Sequence, residues 1–272
     1  MLPILFERLS MLSQTTNPSS KLYLWPKRTL YIGPLPRIKF VQPASLLVIS
    51  LGEPITVFLP DSDECVVGRS HLISAHITFT AETADTAIAI CMLDPLLQDY
   101  ASLKPKMKSG SEPMKFNIDD EERFVEVFRA LYLSSTPQDV AYQRLLELID
   151  LPEGTSHQPD PRIVKVLDMI QSHIDENTSV EIFAKEVGLS VPRLTQLFRE
   201  QVGTPIRTYR LWHRIFCATV EIAKTQDLSA GAHRAGFSDY AHFNRTFKRM
   251  TGMAPTELIA QPNGLELFTA PD

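Results

Sequence analysis

Cysteine is scarce in this chain: 272 residues hold three, Cys65, Cys91 and Cys217, far apart in the sequence. An odd, scattered set forms no C-x-x-C pair and no zinc-ligand spacing, which excludes a disulfide framework or a zinc ribbon as the organising device. No uninterrupted apolar stretch approaches the roughly 20 residues needed to cross a bilayer. The opening Met1-Leu-Pro-Ile-Leu-Phe6 runs straight into Glu7 and Arg8, too short for a signal-peptide core, so the chain is expected in the cytosol without a membrane partner. Also missing are a nucleophile elbow, a phosphate-binding glycine loop and a clustered set of metal ligands, so no catalytic centre, metal or cofactor is indicated. A basic excess is lacking too. The net charge is −5, and residues 160–260 carry 13 Lys and Arg against 11 Asp and Glu. Any case for a nucleic-acid partner must therefore rest on where side chains sit rather than on bulk charge.

What is present divides the chain in two. Residues 22–100 read as short strands: Leu46-Leu-Val-Ile-Ser-Leu51, then Ile55 to Leu59, Ile77 to Phe79 and Ala87 to Leu93, punctuated by Gly52-Glu-Pro54 and Pro60-Asp-Ser-Asp63. Branched apolar runs between such turns predict a β-sandwich or small barrel. From Asp119 the period lengthens. Phe124, Val125, Phe128, Leu131 and Tyr132 predict one helix, and Leu145, Leu146, Leu148 and Ile149 a second after Thr136-Pro137. This hairpin either covers the β-domain or offers Leu131, Leu145, Leu146 and Ile149 to a second copy of the chain. Three prolines and a glycine in 151–161 mark a linker between a domain at 1–150 and a helical one at 162–260.

The helical domain contains one unit twice. Ala184 precedes Gly188 by four positions, as Ala232 precedes Gly236, and Leu189-Ser190 answers Phe237-Ser238. A small residue lets two helices approach, and glycine ends the first of them where a Cβ would be strained. Ser190 and Ser238 are expected to cap the next helix. Leu194 with Phe198, and Phe243 with Phe247, lie four apart and face inward. Between the units, Thr204-Pro205 starts a helix that nothing interrupts to about Thr225. Twenty residues span roughly 30 Å, close to the ~34 Å of one DNA turn.

These residues resemble the AraC/XylS family of regulators, over about 100 residues from Arg162 to Ile259 and including Gly252-Met-Ala-Pro255. The resemblance implies an α+β two-domain protein: an N-terminal cupin-like β-domain with a helical hairpin, and a C-terminal all-α domain with two helix-turn-helix units. It implies double-stranded DNA as partner, and RNA polymerase as well if the protein activates. Carried over by position, Pro192, Arg193, Thr195 and Gln196 of the first unit would face bases, as would Tyr240, Ala241, His242, Asn244 and Arg245 of the second. Ser190, Arg199, Arg207, Arg210, Ser238 and Lys248, with Lys224, would face phosphate. Gln196 and Asn244 suit adenine, and Arg245 suits guanine. Gly231 stands where the family carries a large aliphatic residue, and is expected to leave a hole and soften the second unit.

For the β-domain the resemblance implies a small-molecule effector, with Trp25, Arg28 and Tyr31 as candidate contacts. His71 and His76 are its only histidines, and an odd separation along one strand would send them to opposite faces. A cupin-type enzyme with DNA binding attached, and a β-domain serving only protein interaction, are the alternatives.

Overall fold

The structure is a computed structural model that describes residues 18–35, 37–41, 44–59, 65–83, 86–93, 96, 99–149, 159–174, 178–261 and 263–269. Among these, the N-terminal part is a two-sheet β-domain. Its strands are β1 (Ser20–Trp25), β2 (Arg28–Pro34), β3 (Arg37–Val41), β4 (Leu46–Ser50), β5 (Ile55–Phe58), β6 (Cys65–Gly68), β7 (Ser70–Ile73), β8 (Thr78–Glu82) and β9 (Ala87–Met92). After a short helix α1 (Asp99–Leu103) come β10 (Met107–Ser111) and β11 (Met114–Ile118). A last strand, β12 (Leu265–Thr269), arrives from the far end of the chain. The larger sheet runs β10-β11-β7-β4-β9-β2-β1-β12, and the smaller β3-β8-β5-β6.

The apolar run at Leu46 is explained by burial on both faces of the large sheet. Leu46 and Val48 enter one core, which also takes Ile55, Val57 and Phe79 of the small sheet. Leu47 and Ile49 enter a second core on the opposite face. The same alternation divides Leu22 and Leu24 from Tyr23 and Trp25. A two-residue side-chain period makes this division obligatory.

The second core is closed by the helical hairpin, α2 (Glu121–Leu133) and α3 (Gln138–Ile149). Phe124, Val125, Phe128 and Leu131 pack there with Ala141, Leu145, Leu148 and Ile149. This corrects the dimer alternative. Leu131, Leu145 and Ile149 are fully buried within their own domain and Leu146 is half-buried, so the stripe covers the sheet instead of a partner. Lys106 Nζ donates to the Ile149 carbonyl at the end of α3.

Residues 151–158 of the expected linker lie outside the described residues. Its last residues begin a helix: Asp160 caps α4 (Pro161–Ser172), its carboxylate accepting from the Arg162 N–H at 2.9 Å. There follow α5 (Val180–Glu186), α6 (Val191–Val202), α7 (Ile206–Thr225), α8 (Leu228–Arg234), α9 (Tyr240–Thr251) and α10 (Pro255–Ile259). Gly188 and Gly236 take positive φ, 65° and 77°, between the two helices of each unit, where side chains with a Cβ are strained.

Gly231 leaves no hole. It is buried where α8 crosses α7, and a Cβ there would overlap Ile222 Cγ1 and lie 3.1 Å from the Ala218 carbonyl oxygen. Glycine is the residue that lets these helices touch, so the second unit packs more closely than a large aliphatic would allow.

The two domains share a core. The inner β-core residues Leu22, Leu24, Tyr31 and Ile90 belong to the same cluster as Trp212, Ile215, Phe247 and Met250 of the helical domain. Helix α9 lies beside β3, and the ring of His76 is hydrogen-bonded to the Thr204 hydroxyl between α6 and α7.

Candidate nucleic-acid interface

The first unit is α5, a turn and α6. Ser190 caps α6, its hydroxyl oxygen accepting from the Arg193 N–H at 3.4 Å. Leu194, Leu197, Phe198 and Val202 turn inward, and Pro192, Arg193, Thr195, Gln196, Arg199 and Glu200 stand exposed. Thr195 Oγ1 is engaged by the Val191 carbonyl at 2.8 Å, and Gln196 Nε2 donates to Glu200 Oε1 at 2.8 Å. The Gln196 amide is thereby held along the outer face of the helix in the free protein.

The second unit is α8, a turn and α9. The expected cap is corrected here: Asp239, not Ser238, accepts from the His242 N–H at 2.7 Å, and Ser238 Oγ donates to the Asp239 carboxylate at 2.9 Å. The backbone bond from His242, then the Ser238 hydroxyl and the nearby Arg245 charge, hold the Asp239 carboxyl below the usual range. Phe243, Thr246, Phe247 and Met250 face inward, and Ala241, Arg245, Lys248 and Arg249 are exposed. Tyr240, His242 and Asn244 are half-buried, and Asn244 Oδ1 is a buried acceptor with no partner among the described residues. The outward faces of α6 and α9 are therefore formed, with Asn244 turned partly away from solvent.

Sequence reasoning missed Arg214 and Arg249. Arg207, Arg210 and Arg214 of α7 line one groove with His242, Arg245 and Arg249 of α9. Spacings of three and four along a helix were the available signal. Arg210 donates to the Thr178 carbonyl at 2.7 Å and lies over the Phe183 ring, and Arg214 donates to the Ile174 carbonyl at 2.9 Å. Burial pushes the Arg210 pKa below its ordinary value, with the Arg214 charge acting the same way. Lys224 lies exposed near the end of α7.

The candidate effector residues do not converge. Arg28 is buried in a two-point ion pair with Asp99, at 2.7 and 2.8 Å, and also donates to the Tyr142 hydroxyl. Trp25 stacks on Tyr23 and donates to the Gln138 carbonyl at 3.3 Å. Both are parts of the β-domain's framework, which corrects their reading as effector contacts. Tyr31 alone lines a cavity, one of about 120 Å³ between the two domains, shared with Leu22, Leu24, Ile90, Trp212 and Phe247. Burial pushes the Tyr31 hydroxyl up to about 12. His71 is wholly buried in β7, where burial pushes its pKa down to about 4, and His76 sits in the turn beyond that strand.

Residues 183–261 match the family model described as a helix-turn-helix domain. The arabinose operon regulatory protein of Escherichia coli (strain K12) is 32% identical over 121 residues, covering 43% of this chain and 41% of that protein. Its Salmonella typhimurium counterpart is 31% identical over 121 residues, covering 43% of each chain. The match thus spans about two fifths of the length of these curated relatives. Among solved structures, ToxT from Vibrio cholerae O395 superposes with a TM-score of 0.57 at 13% identity, covering 86% of this chain and 97% of that one. Wild-type ToxT with an unsaturated fatty acid bound superposes with a TM-score of 0.50 at 13% identity, covering 86% and 95%. At that identity the likeness is one of fold, and it extends over both domains.

Proposed function

We propose that the protein, whose residues 183–261 match a helix-turn-helix domain and whose repeated unit resembles the AraC/XylS family, is a sequence-specific DNA-binding transcription regulator governed by a small apolar effector held between its domains. The observation that carries the DNA reading is the pair of exposed outer faces on α6 and α9, each projecting from a packed unit and joined by α7. That spacer has 20 residues, roughly 30 Å, which suits successive major grooves on one side of a duplex.

Selection of binding sites from random duplexes, followed by gel shifts with Gln196→Ala, tests this. The expected result is one enriched motif and a loss of preference at one or two of its positions in the variant. Absence of any enriched motif would contradict sequence-specific binding.

The effector reading rests on the cavity's position. It is lined from both domains, so a molecule inside it touches the β-sheet and the helices that carry α9. Among the described residues, no Lys, Arg, Asp or Glu lines it. A cavity near 150 Å³ with apolar walls stays dry and takes benzene, so about 120 Å³ suits a neutral molecule of that size or smaller. ToxT holds an unsaturated fatty acid; here a carboxylate would find no cation among the described wall residues, and its burial unpaired is costly.

A further inference from the structure

The two outer faces differ in charge. The exposed side of α6 carries Pro192, Arg193, Thr195, Gln196, Arg199 and Glu200, two positive charges against one negative. The groove between α7 and α9 presents five guanidinium groups, from Arg207, Arg210, Arg214, Arg245 and Arg249, and among the described residues no carboxylate lines it. Like charges at such spacing repel in the free protein, and a polyanion relieves that repulsion. Guanidinium forks match phosphate oxygens with two parallel bonds.

Two of the five are pre-set. Arg210 and Arg214 are fixed by carbonyls of Thr178 and Ile174, in the segment that leads into α5 of the first unit. The α7 wall of the groove is thereby tied to the chain on either side of the connection between α4 and α5. Arg207, Arg245 and Arg249 stand exposed around them.

We propose that the groove between α7 and α9 is a cradle for DNA phosphates, so that the second unit anchors the duplex by its backbone while α6 reads bases. This rests on the DNA-binding reading above and refines it. Arg245 becomes a phosphate contact here, where a guanine partner is the sequence expectation. Of the other residues that share the groove, Thr246 is buried and His242 half-buried. Half-buried Asn244, with its carbonyl oxygen enclosed, points the same way.

The test measures affinity of the full chain against salt concentration, on its selected site and on an unrelated duplex. The variants are Arg207→Ala, Arg249→Ala, Arg249→Lys and Gln196→Ala. Each alanine variant at an arginine is expected to weaken binding to both duplexes alike, roughly fivefold at physiological salt, and to reduce the log–log salt slope by about 0.9. Arg249→Lys is expected to keep the slope, which separates lost charge from misfolding. Gln196→Ala is expected to keep the slope and lose preference among sites. An unchanged slope in both arginine-to-alanine variants, or a loss confined to the selected site, overturns the cradle while leaving DNA recognition standing. Failure of the unaltered protein to bind any duplex overturns both.

Discussion

Tyr23 and Phe268 stack face to face, ring centroids 4.4 Å apart and planes 12° from parallel, although one belongs to the first strand of the β-domain and the other follows the entire helical domain. The contact follows from β12 pairing in parallel with β1, which sets Lys21 opposite Glu266 and Tyr23 opposite Phe268. Glu266 is ion-paired with Lys21 and accepts from Ser135, while Leu265 and Leu267 on the other face pack against the core shared with the helical domain. One five-residue strand thus has a face in each core. Phe268→Ala is expected to destabilise the protein by about 1–2 kcal/mol, less than a fully buried Phe would cost because Phe268 is half-buried. Thermal unfolding by circular dichroism checks this, and an unchanged midpoint would show that the strand contributes no stability.

Gly231 gives an expectation against simple propensity. Helix preference alone favours alanine there by about 1 kcal/mol. The overlap with Ile222 and the nearby Ala218 carbonyl reverses the sign, since overpacking typically costs about 1–3 kcal/mol. Gly231→Ala is expected to lower the denaturation midpoint, and Gly231→Ala with Ile222→Val to recover part of the loss.

The cavity makes a ligand prediction. Benzene or toluene is expected to raise the melting temperature, and octanoate is not, because no cation lines the walls among the described residues. Ile90→Phe, which fills the space, is expected to abolish the response. Equal stabilisation of the variant by benzene would place the ligand elsewhere.

His71 ties stability to pH. Burial lowers its folded pKa to about 4 against an ordinary value of 6.5, so below pH 6.5 the unfolded chain binds the proton more readily than the folded one. Stability is therefore intact above pH 6.5, falls as pH drops from there, and levels off for this group below about pH 4, after a loss of about 3 kcal/mol. Denaturant titrations between pH 7 and 4 are expected to show this slope, and His71→Leu to flatten it. Glu112 and Glu266, held down to about 2 by hydrogen bonds and lysine partners that outweigh partial burial, add their loss at lower pH, from about 4.5 downward.

The parts legible in the sequence have local causes. Gly188 and Gly236, the inward pairs ending at Phe198 and Phe247, and the unbroken Ile206–Thr225 segment each act within a few residues, and period and turn chemistry sufficed for them. The Asp239 cap was obscured because seven positions separate Gly236 from Phe243, against six from Gly188 to Leu194, so matching Ser190 to Ser238 slipped by one. Arg28 resembles a ligand contact until Asp99, 71 positions away, is seen to neutralise it. The cavity, the arginine groove and the seat of β12 are all products of long-range packing. Alternation in Leu265-Glu-Leu-Phe-Thr269 was the one local signal for the last strand, and it is short.

Hydroxyl-radical footprinting on a selected site tests the central claim most directly, namely that both units meet one side of a duplex at a separation set by α7. The expected result is two protected tracts on the same face, about one helical turn apart, both lost at high salt. A single tract, or two tracts on opposite faces, would contradict it.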